Sequence, residues 1–299
     1  MKVTLNSLQK KLIIAAGAVF VLFALFIVYQ ARSPVLIVSD FSSVTLYGKA
    51  RVRSETRNAS IALFRRVLNV SVADEASNDI IRFAVSESSS RPYCVIFPLR
   101  FARAARLYRE NNSETPVILL EGRYGRDDTI SAIGGSQNDY FIYKTDIDYD
   151  FQKAGMAAAA LDMGKNDKIA VFLDQNIRSQ AENSFLRTVN SPETRLDAVF
   201  FSSFDDHLEI PDISCVVFAG AGVEFLENNS NIPIIFFTWI DPSFLPDDVV
   251  IVIDDSPWAQ IVQAVRMAGG RASQGRIKSK FHIVNKKIID GKTLRNLRK

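Results

Sequence analysis

The sequence is poor in the residues that staple small folds or hold metals. Two cysteines, Cys94 and Cys215, stand among 299 residues, too few for a disulfide framework or a cysteine-based zinc site. Two histidines, His207 and His282, are too few and too far apart for a histidine-rich metal centre. Excess basic charge is absent once the first 33 residues are set aside. Lys2, Lys10, Lys11 and Arg32 fall there with no acid, and the remainder holds 32 basic against 33 acidic groups. The net +3 therefore does not point to nucleic acid, which requires a basic face on the folded domain. Catalytic motifs are missing as well: there is no P-loop, no HExxH and no G-x-S-x-G elbow. Gly220 and Gly222 follow an apolar run, but Phe225 stands where a dinucleotide fingerprint places its third glycine. Asp146, Asp148 and Asp150 imitate the opening of a calcium loop, yet Phe151 takes the glycine position and Ala157 the bidentate-glutamate position. His207 lies beside Asp205 and Asp206 without a serine or cysteine partner in a recognisable context. No nucleophile–base pair can be read, so the chain is expected not to be an enzyme and to need no cofactor.

What is present begins with a long apolar run. Leu12 to Tyr29 carries no charged or strongly polar side chain. As a helix it would extend about 27 Å, close to the hydrocarbon thickness of a bilayer. Lys2, Lys10 and Lys11 precede it, which sets the N-terminus in the cytoplasm and the rest of the chain outside. Signal-peptide cleavage after Ala31 would place Tyr29 at −3, a poor site, so an uncleaved anchor is expected. No cysteine follows the run, which excludes a lipoprotein anchor. The expected location is the inner (cytoplasmic) membrane, single-pass, with the large domain periplasmic or extracellular.

Beyond Pro34 short β-branched runs alternate with helical segments. Strands are predicted near 35–38, 70–72, 94–97, 117–120, 140–143, 169–173, 198–201, 215–218, 234–237 and 249–253. Helices are predicted near 57–68, 101–111, 151–163, 179–189, 223–228 and 257–268, with a weaker one near 78–86. Most of the strand runs are apolar throughout, as strands covered on both faces are. Such alternation implies parallel α/β sheets. The series divides near Asp146 into two halves of five strands, which predicts two doubly wound lobes. Each half has a lone cysteine inside a strand, read as a buried small hydrophobe. The polar stretch 42–55 fits no element of this scheme.

Two segments carry a resemblance. Residues 146–161, DIDYDFQKAGMAAAAL, join an acidic turn to a helix with Gly155 and the run Ala157–Ala160, small residues that let a helix lie close against a sheet. Residues 250–258, VIVIDDSPW, end a strand in an acid and open a helix with Pro257, which loses no hydrogen bond at a first helical turn. Both resemble the lobe crossings of type I periplasmic binding proteins, the fold shared with LacI-type regulator cores and sugar- and nucleoside-binding lipoproteins. The resemblance covers Pro34 to about Asp290. It implies an N-terminal lobe of 34–145 plus 254–281 and a C-terminal lobe of 146–253 plus 282–299, with a third crossing near 281–285. Residues 1–33 are the stub and anchor.

In parallel α/β sheets ligands bind beyond the carboxyl ends of the strands. Reading the residues just after each strand gives Asp40, Phe41, Arg100 and Glu121 from the first half. Asp174, Asn176, Trp239 and Asp241 come from the second, and Asp146 and Asp254 from the crossings. Flat aromatics among carboxylates and amides suit a neutral, hydroxyl-rich molecule such as a sugar or nucleoside. The resemblance also implies that Asp254 bonds ligand hydroxyls. The expected partners are a small solute, the membrane, and an ABC permease that receives the solute. A membrane sensor protein is the alternative partner, and a degenerate, ligand-free structural module is the remaining alternative. The run Arg100, Arg103, Arg106 and Arg109 and the tail beyond Lys286 read as solvated faces.

Overall fold

The computed structural model describes residues 7–122, 140–161, 168–173, 175–189, 197–201, 213–219, 232–238, 248–285 and 295. The first element is α1, Ser7–Ala31. Its side chains are described from residue 15 onward, and there Val19, Phe20, Leu22 and Phe23 are all more than half exposed. Among the described residues no helix is long and apolar enough to cross a membrane.

Three residues after α1 the chain enters β1, Val35–Asp40. Then follow α2 Phe41–Tyr47, α3 Lys49–Leu63, β2 Val67–Val72, α4 Asn78–Ser88, β3 Cys94–Pro98, α5 Ala102–Asn111, β4 Val117–Gly122 and β5 Phe141–Thr145. After the first crossing come α6 Ile147–Leu161, β6 Lys168–Leu173, α7 Arg178–Val189, β7 Asp197–Phe201, β8 Ile213–Ala219, β9 Ile234–Phe237 and β10 Val249–Asp254. The last described elements are α8 Pro257–Gly269, β11 Gln274–Ile277 and β12 Lys280–Ile283.

The strands form two six-stranded sheets, ordered β11-β5-β4-β3-β1-β2 and β12-β10-β9-β8-β6-β7. The chain passes from the first sheet to the second at Asp146, returns between Asp254 and Pro257, and passes again at Lys278 and Ser279, upstream of the expected 281–285. All pairings are parallel except that of β12 with β10. That exception departs from the expected all-parallel lobes and has a simple cause. Both sheets point their carboxyl ends toward the crossings, so a strand running straight out of β11 enters the second sheet from its carboxyl end.

The expected two-sided burial of strands is visible in the period-2 pattern. In the first sheet Val35, Ile37, Ile96, Ile118 and Leu120 pack on the α3 and α8 side with Val52, Ala59, Ile261 and Ala264. Their neighbours Leu36, Val38, Phe97 and Leu119 face Ile81, Val85, Ala105 and Tyr108 of α4 and α5. Each such fully buried aliphatic side chain contributes about 1.5–3 kcal/mol. Cys94 and Cys215 are both free and buried in this core, and burial pushes the Cys94 thiol up to about 12. β11 and β12, QGRI and KFHI, escape a reading by apolar runs because they are short edge strands with polar faces.

The stretch 42–55, which fitted no element, is a helix broken in two. Asp40 caps α2 by accepting from the Ser43 amide at 2.7 Å. Gly48, at φ 90° and ψ 121°, then ends α2 and starts α3. That backbone geometry excludes most side chains. Gly48→Ala is expected to lower stability by about 1–3 kcal/mol, read as a lower urea midpoint with unchanged slope.

Gly155 has a different neighbour from the expected sheet. A methyl group there would lie 2.6 Å from Thr188 Oγ1 and 3.0 Å from the Phe185 carbonyl oxygen, so it brings α6 against α7. The alanines beside it, Ala154, Ala157 and Ala158, do pack on the second sheet. One stripe of small residues serves both contacts.

Candidate ligand-binding cleft

A cavity of about 280 Å³ opens at the carboxyl ends of β1, β3 and β4. Its floor is Val38 and Ser39, one wall is Pro98 to Arg100, another is Leu120 to Gly122, and Asp255, Pro257, Trp258 and Gln260 close it from the return crossing. It lies where strand-end dipoles and loop side chains converge, the place ligands take in this kind of sheet.

The predicted residues are distributed unevenly around it. Arg100 and Glu121 line the cavity. Asp40 stands behind Arg100, ion-paired to its Nη1, while its other oxygen caps α2. Arg100 also lies over the Phe101 ring, 4.7 Å from its centroid. Glu121 is buried, with Oε2 3.2 Å from Lys144 Nζ, and that oxygen accepts no hydrogen bond. Phe41, the first residue of α2, is 55% exposed. Asn176 is exposed in a short 3-10 turn before α7. Asp174, Trp239 and Asp241 lie outside the described residues.

Asp146 and Asp254 serve the crossings. Asp146 Oδ1 accepts from the Tyr149 amide at 3.3 Å and so caps α6. Asp254 is fully buried. Its carboxylate accepts from the Tyr47 hydroxyl at 2.8 Å and the Ser256 amide at 3.0 Å, with Arg51 and His282 each 3.7 Å away. Burial pushes this carboxyl up, but contacts from His282, Ser256 and Tyr47 outweigh it and hold the group below its ordinary value. Arg51 also pairs with Glu55 at 3.2 Å, and Glu55 with Lys280 at 2.5 Å. The network thus joins α3, β10 and β12 across the two sheets. Burial, with the charge of Asp254, keeps the Tyr47 phenol protonated and therefore a donor.

Of the two acids at the return crossing, Asp255 lines the cavity and Asp254 does not. Asp255 is held by Thr238, whose hydroxyl donates to its Oδ1 at 2.6 Å. Thr238 follows β9 with φ 71°, unusual for a β-branched residue, and its amide donates to the Ile253 carbonyl. Trp258 was readable only as part of a crossing motif. It stacks on Tyr47 with centroids 4.7 Å apart and donates from Nε1 to Asn69 Oδ1 at 2.8 Å. It also lines a second cavity of about 430 Å³, bordered by Glu55, Asn58, Gln263, Lys278 and Lys280. Gln260, buried on the inner face of α8, donates to Thr145 Oγ1 at 3.0 Å. Neither its side-chain type nor its spacing marks it in the sequence.

The cavity thus offers a guanidinium donor, two carboxylate acceptors and an indole wall. Among the described residues no group of three His, Cys, Asp or Glu side chains is placed to hold a metal ion. No family model matches the sequence, and no curated protein matches it. Solved structures do. AraP, an arabinose-binding protein from Geobacillus stearothermophilus, is similar with TM-score 0.58 at 15% identity, over 85% of this chain and 97% of its own. A transcriptional activator of the comK gene from Bacillus halodurans gives 0.56 at 11% identity, over 89% and 95%. A LacI transcriptional regulator from a Rhodococcus species gives 0.52 at 12%, over 84% and 96%. The chain has the type I periplasmic-binding-protein fold. The ion-pair network around Asp254 sits where the chain crosses between the two sheets. The 280 Å³ cavity lies at the carboxyl ends of strands of the first sheet.

Proposed function

We propose that this chain is a membrane-tethered extracytoplasmic solute-binding protein that takes a sugar or nucleoside-like molecule between its lobes. The observation that carries this reading is the strand-end cavity, where Arg100, Glu121 and Asp255 meet the Trp258 ring. Carboxylates and a guanidinium bond hydroxyl groups in complementary directions, and an indole face packs against the apolar side of a sugar ring. The likeness to an arabinose-binding protein supports the same ligand class. From the first lobe Arg100 and Glu121 would bond the ligand, with Asp40 orienting Arg100 and Phe41 at the mouth. From the second lobe the sequence positions Asp174, Asn176, Trp239 and Asp241 for this role. Asp146 and Asp254 would hold the hinge. The lobes, 34–145 plus 254–281 and 146–253 plus 282–299, close because the ligand binds the closed form better than the open one. The role is binding without catalysis.

The anchor is Leu12 to Tyr29. A helix whose described side chains Val19 to Val28 are largely apolar and exposed is stable in lipid and costly in water. Delivery to an ABC permease is the first reading of the downstream step. One observation favours a second, a sensory ectodomain acting on a membrane partner. Only Arg32, Ser33 and Pro34 separate α1 from β1, and Tyr29 packs on Phe64 with centroids 5.8 Å apart. So short a link limits how far the lobes can travel to a permease.

The test is thermal melting of the detergent-solubilised chain against a panel of pentoses, hexoses and nucleosides. A true ligand at a hundredfold its Kd is expected to add about 2.7 kcal/mol, and scattering is expected to show compaction. A panel with no melting shift and no compaction would sink the reading. Co-purification with a permease, or with a kinase or chemoreceptor, decides between the two downstream roles.

A further inference from the structure

We infer that the base of the first lobe, at the amino ends of β1 to β3 and opposite the cavity, is a contact surface for an anionic phospholipid bilayer. This rests on the anchor reading and adds to it how the domain stands on the membrane. Arg32 precedes β1, Arg65 and Arg66 precede β2, Arg91 precedes β3 and Arg271 precedes β11. Arg266 belongs to the same end, since its Nη2 donates to the Ala62 carbonyl at the end of α3. None of these six forms an ion pair among the described residues. Arg32 and Arg65 lie instead over aromatic rings, Phe64 and Tyr93, at 5.0 and 3.9 Å. Arg65 also donates to the Ser33 carbonyl in the link to α1. Acids near this end are fewer: Glu87, Glu114, and Glu110, which is already paired with Arg106.

The patch has an apolar element. Ile61, one turn before Phe64, is 69% exposed, and Arg57 lies exposed a further turn back on α3. Clustered arginines around an exposed aliphatic residue, continuous with the helix that would enter the bilayer, match a lipid headgroup layer. The packing of Tyr29 and Arg32 on Phe64 fixes the helix exit at this patch. The cleft, at the opposite ends of the same strands, then faces away from the membrane.

The test uses the full chain in nanodiscs of phosphatidylcholine with or without phosphatidylglycerol, read by amide hydrogen exchange at residues 61–66, 89–93 and 269–273. Exchange is expected to slow in anionic discs, by about fivefold for each arginine engaged, and to recover at high salt. The exposed-residue variant R57A/R91A/R271A is expected to lose the effect, and the corresponding lysine variant to keep it. Equal exchange in neutral and anionic discs, protection unaffected by the alanine variant, or protection that appears only with an added membrane protein would each overturn the inference. Alkaline extraction separates the two claims. A chain retained in the membrane without protection defeats the lipid contact alone, and a chain that washes off defeats the anchor as well.

Discussion

Asp254→Ala is expected to lower the unfolding free energy by about 3–5 kcal/mol, because it strands buried partners of a charge that is itself fully buried. Tyr47 would lose the acceptor for its hydroxyl, and Ser256 the acceptor for its amide. Arg51 would keep Glu55 but lose its second anion. Asp254→Asn, which preserves shape, is expected to cost less. It also isolates the pH dependence. The folded carboxyl lies below its ordinary value, whereas in the unfolded chain it titrates near about 3.9. Its stabilisation is therefore fully present above about pH 5 and is lost as pH falls through the unfolded value toward the folded one. Urea midpoints at neutral pH and near pH 3 are expected to fall further apart in the wild type than in Asp254→Asn. Equal acid losses in the two proteins would remove Asp254 from the account of the hinge.

The second large effect is expected at Trp258. Its replacement by alanine removes a side chain that lines both cavities and the stack on Tyr47. A loss of about 3–5 kcal/mol is expected from the cavity. Trp258→Phe keeps most of the volume but leaves Asn69 without its indole donor, at about 1–3 kcal/mol. Calorimetry separates stability from binding when Glu121→Gln is added to the series. That variant removes a charged acceptor from the cavity wall while the stacked ring stays. It is expected to weaken ligand binding about tenfold or more, the loss of one charged hydrogen bond, with little change in melting temperature. Unchanged affinity in both Trp258→Phe and Glu121→Gln would place the ligand elsewhere.

Strand runs and their division into two sheets were legible in the sequence because they rest on local regularity, and the crossing segments were legible through the resemblance. An apolar run of five or six residues between breakers is a buried parallel strand wherever it occurs, and Pro257 after Ser256 opens a helix by its own φ restriction. The strands at 35–40, 94–98, 117–122 and 249–254 are of this kind. Less of the site was legible. Of the residues just after strands, Arg100 and Glu121 line the strand-end cavity. Position after a strand does not tell a cavity wall from a cap, and Asp40 and Asp146 cap helices.

By itself the sequence determined the α/β class and an apolar leader, since those follow from composition and period along one dimension; the crossings rested on resemblance, and the third lies upstream of where it was expected. Only the tertiary structure decided that Asp254 is buried among Tyr47, Ser256, Arg51 and His282 while Asp255 lines the cavity. Adjacent residues at the end of a strand point to opposite sides, and which side is interior depends on a helix 200 residues away in the chain, where Tyr47 and Arg51 wait. The same holds for Gly155 and Gln260, whose roles come from long-range contacts that no local pattern encodes.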